Sequence, residues 1–458
     1  MRFSLVALLV ILASVAPLQA DVRLPSIFGS HMVLQRDRPI IIYGYTAEPG
    51  TRVEVALDDD KATISSDAQG NWSVKLPARK ASTKGATLTV QANGTLLKYT
   101  DILVGDVWVG SGQSNMEWPL TASADPKETI AQASHPLIRL YHVPKVQPLA
   151  PARDIDAIWR VCSPQSVPRF SAVLYHFGVK LHKELDVPIG LIHSSWGGSR
   201  IEPWTVTPAA DAKGKGSGGM YNGMIAPLRQ FAIKGVLWYQ GESNMAEGML
   251  YRERKERLIT DWRKFWGAEM PFYFVQIAPY ARYGKPTLPE FWEAQTACLK
   301  IPHTGMVVVT DLVEDLNDIH PKNKRDVGLR LARWALNRTY GKKEVVVSGP
   351  LFKSLKIDGD KAIVSFAYAQ GLKSRDGKPL SEWEIAGEDG KFVPAEAKIE
   401  GETVVVTAKS VTMPTQVRLG WRNIANPNLC NAEGLPAAPF RSKDWKGGTG
   451  EASGDATK

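Results

Sequence analysis

Between residues 104 and 344 the chain alternates two kinds of segment, and this alternation constrains the fold more than any other feature of the sequence. Apolar runs of strand length recur: "ILVGDVWV" (102–109), "PIGLIHS" (188–194), "KGVLWYQ" (234–240), "PFYFVQIA" (271–278) and "GMVVVTD" (305–311). Amphipathic stretches of helical period lie between them, such as "SAVLYHFGVKLHKEL" and "LYRERKERLITDWRKFW". After the last run comes "PKNKRDVGLRLARWALNRTY", with Pro321 suited to a first helical turn. Strand, helix, strand, repeated, predicts a three-layer α/β/α domain with a parallel sheet.

The flanks read differently. From 21 to 103 short runs such as "IIIYGY" and "RVEVAL" are separated by the turn signals "EPGT", "DAQGN" and "ANGT". From 345 to 442 the runs "KAIVSFAY", "TVVVTAK" and "TQVRLGW" are β-like again. We therefore expect an N-terminal β-sandwich-like domain at 21–103, the α/β domain at 104–344 and a C-terminal β-sandwich-like domain at 345–442. The Gly/Ser/Thr-rich end, 443–458, reads as a disordered tail. Residues 1–20 carry one Arg, an apolar run and small residues. They read as a secretory signal peptide cleaved after Ala20, so the mature chain is expected to be secreted or periplasmic.

Composition excludes several classes. The net charge is +9 but spread, with no basic helix interleaved with aromatics, which argues against nucleic-acid binding. No later apolar run is long enough to span a bilayer, so no membrane insertion is expected. Cys162, Cys298 and Cys430 are odd in number and far apart, so they form neither a disulfide scaffold nor a zinc ribbon, although one bridge is open to them.

In open α/β sheets ligands bind beyond the carboxyl ends of the strands. There the chain places "GSGQSNM", "SSWGGSRIEPW", "GESN" led by Gln240, and "DLVEDLNDIHP". Ser114 read alone is an ordinary loop serine, and His320 before Pro321 an ordinary loop histidine. Their convergence with a Gly-Gly pair and a cluster of amides fits acyl transfer. A serine hydroxyl needs a base within reach to take its proton, and His320 beside acids is the candidate. His193 lies inside a strand and reads as a core histidine. Asp318 and Asp315 are candidates to orient the base. The backbone N–H groups of Ser114 and of Gly197 or Gly198, with a side-chain amide from Gln240 or Asn244, would suit an oxyanion. The G-x-S-x-G elbow of α/β-hydrolases is absent, since Met116 stands where its second Gly belongs.

With "MVLQRDRPI", "DVWVGSGQSNMEW", "SSWGGSRIEPW", "YNGMIAPL", "GVLWYQGESN", "NDIHPKNKRDVGLRLA" and "NLCNAEGLPAAPFR", nearly the whole mature chain resembles the sialate O-acetylesterase family of the SGNH/GDSL hydrolases. The resemblance implies a metal-independent serine esterase with a flavodoxin-like core, no cofactor and an acetylated carbohydrate as substrate. It makes Ser114 the nucleophile, His320 the base, and Gly198 and Gln240 oxyanion contributors. The superfamily places Asp three residues before His. Here Asn317 stands there, so Asp318, Asp315 or a backbone carbonyl takes the orienting role. Asn115, Trp196, Glu242 and Asn244 are expected to bind substrate, with Arg200 a candidate partner for Glu242. Of Trp118, Trp196 and Trp204, at least one is expected to contact a sugar or wall the acetyl pocket. Two rivals remain: a metal-dependent phosphoester hydrolase using Asp311, Asp315, Asp318 and His320, and a carbohydrate-binding protein without catalysis.

Overall fold

The structure is a computed structural model and describes residues 22–206, 218–285 and 288–449. Residues 1–20, expected to be a signal peptide, lie outside the described residues.

At the centre is a mixed sheet built around the 18-residue strand Thr95–Gly112. On one side it pairs in parallel with Ile189–Ser195, and on the other with Gly235–Tyr239. Phe272–Val275 and Thr304–Val307 continue the parallel sheet beyond Gly235–Tyr239. These five strands therefore stand in the order 2-1-3-4-5 by chain position. The direction of winding reverses at the first strand, and there the carboxyl ends open a crevice. Two further strands, His135–His142 and Trp159–Cys162, extend the sheet beyond Ile189–Ser195. Trp159–Cys162 runs antiparallel, which makes the sheet mixed.

Helices cover both faces, and contacts fix which face each takes. Ala172–Leu185 packs on the face presented by Trp108, whose ring meets Phe177 at 5.1 Å. Lys324–Trp334 lies beside it: a Cβ at Gly328 would stand 2.6 Å from the Val173 carbonyl. Leu250–Trp266 takes the opposite face, where Trp238 meets Trp262 edge-on at 5.9 Å. Leu288–Ala297 joins it through Tyr251 and Phe291. Local chemistry sets the helix ends. Ser171 caps Ala172–Leu185 by accepting the Leu174 N–H. Asn323 caps the last helix by accepting the Asp326 N–H. That helix thus begins at Lys324, three residues beyond Pro321, because the Asn323 side chain supplies the stop.

The flanking segments are β-rich. In the N-terminal part Val22–Arg23, Ile40–Thr46 and Asn71–Leu76 form one sheet. Arg52–Leu57, Asp60–Ser65 and Ser82–Ala92 join the N-terminal half of Thr95–Gly112. One strand therefore serves both this part and the core, and position 103/104 falls inside it. The C-terminal part has two four-stranded sheets around a separate apolar cluster that includes Phe366, Trp383 and Phe440. Residues 443–449, assigned to a disordered tail on composition, carry Trp445 against Phe352 and Phe440. Their backbone also docks on the core: the N–H of Lys446 donates to Glu293 and that of Gly448 to the Thr296 carbonyl. One aromatic anchor outweighs the flexible composition around it. All three cysteines are free and buried, and among the described residues no helix is long and apolar enough to cross a membrane.

Candidate active site

The crevice at the carboxyl ends is built from four turns, and glycine geometry lets them close on one another. Gly112 ends the long strand at φ +135°, and a Cβ there would lie 2.1 Å from the Tyr239 carbonyl oxygen. Only glycine lets the first strand turn this close to the third. The Gln113 N–H then donates to that carbonyl, and Gln113 Oε1 accepts from the N–H groups of Gly241 and Ser243 at 3.3 Å. The turn carrying Ser114 is thereby stitched to the turn after Gly235–Tyr239. Ser114 itself opens the short helix Ser114–Glu117 and is half-buried.

His320 comes from the loop before the last helix. Its Nε2 lies 2.8 Å from Ser114 Oγ, within hydrogen-bond reach. Trp118 stacks on the imidazole, ring centroids 4.5 Å apart at 18°. Burial lowers the His320 pKa below the ordinary histidine value; the nearby Lys324 charge adds to this and Asp318 opposes it. The ring is therefore held toward its neutral, proton-accepting form.

Asp318 is beside His320 but is not bonded to its ring. Its Oδ1 accepts the His320 backbone N–H at 2.8 Å and stands 3.6 Å from Nδ1. Asp315 turns to the Asn317 N–H. Asp311 is clasped by Arg330 at 2.6 and 2.7 Å, so it joins no cluster with His320.

The turn after Ile189–Ser195 brings Gly197 against Ser114: a Cβ on Gly197 would meet Ser114 Cβ at 3.4 Å. Glu117 holds this turn, with Oε2 accepting the Gly197 N–H at 2.6 Å and Oε1 meeting Lys145 at 2.5 Å. Gly198 has φ +74°, the left-handed region, and is exposed. Among the described residues, the N–H groups of Ser114 and Gly198 have no acceptor. One unclaimed donor is the serine's own N–H, and the other lies in the turn whose Gly197 packs against Ser114.

Several expected site residues are placed elsewhere. Gln240 is fully buried; its Nε2 donates to Asn244 Oδ1 and the Ser199 carbonyl, and its Oε1 accepts from Tyr251. Both amide hydrogens are committed, so Gln240 offers no donor to an oxyanion. Asn244 is likewise spent, on the Ile201 N–H, Gln240 and Glu202. Arg200 pairs with Glu202 and Glu247, not with Glu242. Glu242 Oε1 instead accepts from Asn115 at 2.6 Å, and burial raises its pKa. Asn115 is fully buried and cannot reach a substrate. Its Nδ2 also donates to the Ile319 carbonyl, next to His320, and its Oδ1 accepts from Lys324 at 2.5 Å. Trp204 is buried against Trp238. Trp196 is half-buried under Lys145, 5.8 Å from its ring. His193 is fully buried in its strand, bonded to Ser195.

Three positioning residues escaped the sequence reading: Gln113, Glu117 and Lys324. Glu117 stands three after Ser114, one turn of the short helix that Ser114 opens, and that spacing was its available signal; Lys324 follows His320 across a non-helical loop, where no such period applies. Lys324 is buried between the rings of Trp118 and Tyr239, and burial lowers its pKa to about 7.

Comparison with known proteins adds independent findings. The family described as "Carbohydrate esterase, sialic acid-specific acetylesterase" matches residues 104–337. The chain is 28% identical to sialate O-acetylesterase of Mus musculus, over 87% of this chain and 89% of the relative. It is 30% identical to that of Homo sapiens, over 77% of each chain. Among solved structures, a carbohydrate acetylesterase from Xanthomonas citri superposes with a TM-score of 0.88 at 38% identity, covering 93% of this chain and 100% of that one.

Proposed function

Because this chain belongs to the sialic acid-specific acetylesterase family of carbohydrate esterases, we propose that it hydrolyses O-acetyl esters of sialic acids by a serine–histidine mechanism outside the cytoplasm. It is a carboxylic ester hydrolase that deacetylates carbohydrates. The observation that carries the mechanism is the 2.8 Å contact between His320 Nε2 and Ser114 Oγ. Ser114 Oγ attacks the acetyl carbonyl while His320 Nε2 takes its proton. The oxyanion receives the N–H groups of Ser114 and Gly198. As the C–O bond to the sugar breaks, His320 returns the proton to the leaving alkoxide. Water, its proton taken by His320, then cleaves the acetyl-serine, releasing acetate and restoring the hydroxyl. Asp318 acts through space: the imidazolium that forms during the reaction faces its carboxylate at 3.6 Å.

In this reading residues 104–344 are an SGNH-type, flavodoxin-like catalytic domain, supported by the 2-1-3-4-5 strand order and by the Ser-Gly-His turns at the crevice. The segments 21–103 and 345–442 serve it as accessory β domains. Export rests on the sequence of residues 1–20. A second reading, deacetylation of another acetylated glycan, is favoured by the Xanthomonas citri neighbour, a carbohydrate acetylesterase. Acetate release from 9-O-acetylated sialic acid separates them. Wild type should release acetate, and Ser114→Ala should lose at least about a thousandfold in rate. Silence on sialate with turnover on acetylated xylan would select the second reading.

A further inference from the structure

The C-terminal β part reaches toward the catalytic loop through Asn423. This residue follows the strand Gln416–Leu419, in a turn held by Glu382, which pairs with Arg422 at 2.7 Å and accepts the Asn426 N–H at 3.0 Å. Ala425 of the same turn is fully buried in the apolar core of the α/β part. The Asn423 carbonyl accepts the Tyr280 N–H at 3.1 Å. Its Oδ1 accepts the N–H of Leu288, the first residue of helix Leu288–Ala297, at 3.2 Å. Its Nδ2 donates to the carbonyls of Tyr283 and Gly284 at 3.3 and 3.0 Å. A single residue thus clasps the segment Tyr280–Gly284 and the start of the next helix.

That segment lies against the loop carrying His320. The Ala281 N–H donates to the Leu316 carbonyl at 2.7 Å. Residues 313–318 form neither helix nor strand. Their other hydrogen bonds stay within the loop: Asp315 accepts the N–H groups of Asn317 and Asp318, and Asp318 accepts that of His320. Among the described residues, the bond from Ala281 is therefore the one hydrogen bond that ties 313–318 to another part of the chain. Beyond it, Asn115 holds the Ile319 carbonyl and Trp118 stacks on the imidazole. The 2.8 Å approach of His320 Nε2 to Ser114 Oγ depends on both ends of this loop.

The segment's own residues argue for a clamp. Ala281, Arg282 and Gly284 are exposed. Tyr283 turns inward at a cost: its hydroxyl is buried within electrostatic range of Glu242 and Tyr239, yet has no hydrogen-bond partner among the described residues. An unpaired buried hydroxyl is unfavourable, so the inward position of the segment has to be held from elsewhere.

We infer that Asn423 is a positioning residue for ester hydrolysis, holding the His320 loop in place through the segment Tyr280–Gly284. The inference rests on the Ser114–His320 reading above and gives the C-terminal β part a share in it.

Hydrolysis of 4-nitrophenyl acetate by the full chain tests it, with Ser114→Ala as the blank. Active sites are counted in each preparation by labelling Ser114 to completion with a fluorophosphonate, so that loss of folded protein does not enter the rate. Asn423→Ala should lower kcat/KM per labelled site by about ten- to a hundredfold, the scale set by a reacting group displaced by up to about 1 Å. Ala281→Pro, at an exposed position, removes the N–H given to Leu316 and should cost as much, even if Asn423→Ala folds poorly. The double variant should be no slower than the slower single, since both cut the same chain of contacts. A wild-type rate per labelled site in either single variant, or losses that multiply in the double, would overturn the assignment. A wild type no faster than Ser114→Ala would instead remove the esterase reading, and this inference with it.

Discussion

The His320 ring is held by a stacked tryptophan and by its bond to Ser114, with a cation nearby and no acid on Nδ1. In a serine triad the acid bonded to histidine is worth up to about 10⁴ in rate. Asp318 is 3.6 Å away and spends its Oδ1 on a backbone N–H, so it acts only as a field. Asp318→Asn should therefore lower kcat by only about tenfold, in proportion to a solvent-exposed pair. A loss near 10⁴ would show that the carboxylate swings onto Nδ1 during turnover. The pH profile reads the other neighbour. Burial and the Lys324 charge both disfavour the imidazolium, so the base stays competent below the ordinary histidine value. The acid limb of kcat/KM should fall below pH 6.5. In Lys324→Met one of those influences is gone, so the limb should move to higher pH. A limb that stays in place would mean that Lys324 matters only by holding Asn115.

At the scale of elements, legibility followed burial. The five strands that the apolar runs predict all form, because both of their faces are covered and most of their side chains are apolar, exceptions such as Asp106 and His193 being held by specific partners. His135–His142 and Trp159–Cys162 went unread: they lie at one edge of the sheet and mix Arg139, His135 and Arg160 into the pattern. Helix Leu288–Ala297 was also missed. Nearly all of it is buried, so it lacks the polar face that marks an amphipathic helix. The site was legible where one residue type fixes the chemistry, at Ser114 and His320. It was illegible where an amide could point either way, as at Gln240 and Asn244. Helix Leu250–Trp266 shows a conflict the pattern conceals. Its Lys255 is fully buried, 3.8 Å from the Phe274 ring centroid, and among the described residues its ammonium has no hydrogen-bond partner. Burial pushes its pKa down to about 8. Below pH 8 the charged form bears the whole desolvation cost. Between there and the ordinary lysine value near 10.4 the folded chain holds fewer protons than the unfolded one, so stability rises with pH. Lys255→Met should stabilise the protein by about 2 kcal/mol at pH 7, with the gain shrinking toward pH 10. Thermal unfolding at the two pH values checks it, and a gain independent of pH would assign the effect to packing instead.

Across the whole molecule the question is whether the α/β part stands without the β part that precedes it. The strand Thr95–Gly112 runs through both, and the apolar core is continuous across them. Ile27 accepts the Trp159 indole N–H, and Phe28 packs on Phe231. A further tie is electrostatic. Asp106, fully buried in the shared strand, is bonded by Arg36 at 2.8 and 3.1 Å and by Gln35 at 2.9 Å. Both donors come from the N-terminal segment. A fragment of 104–344 would keep Tyr340 beside that carboxylate but lose its cation, leaving an unpaired charge in a dry sheet, which costs several kcal/mol against a stability margin of about 5–15 kcal/mol. We expect such a fragment to be insoluble or to melt without a cooperative transition. In the full chain, Arg36→Met should destabilise by about 3–5 kcal/mol, because it strands the charge. Adding Asp106→Asn should recover much of the loss, since the pair rather than the packing is what was broken. Denaturant unfolding of the two variants decides the matter. If Arg36→Met is neutral, or if the double variant is no better than the single, the buried pair is not what ties the two parts, and their join rests on the shared strand and the apolar core continuous across it.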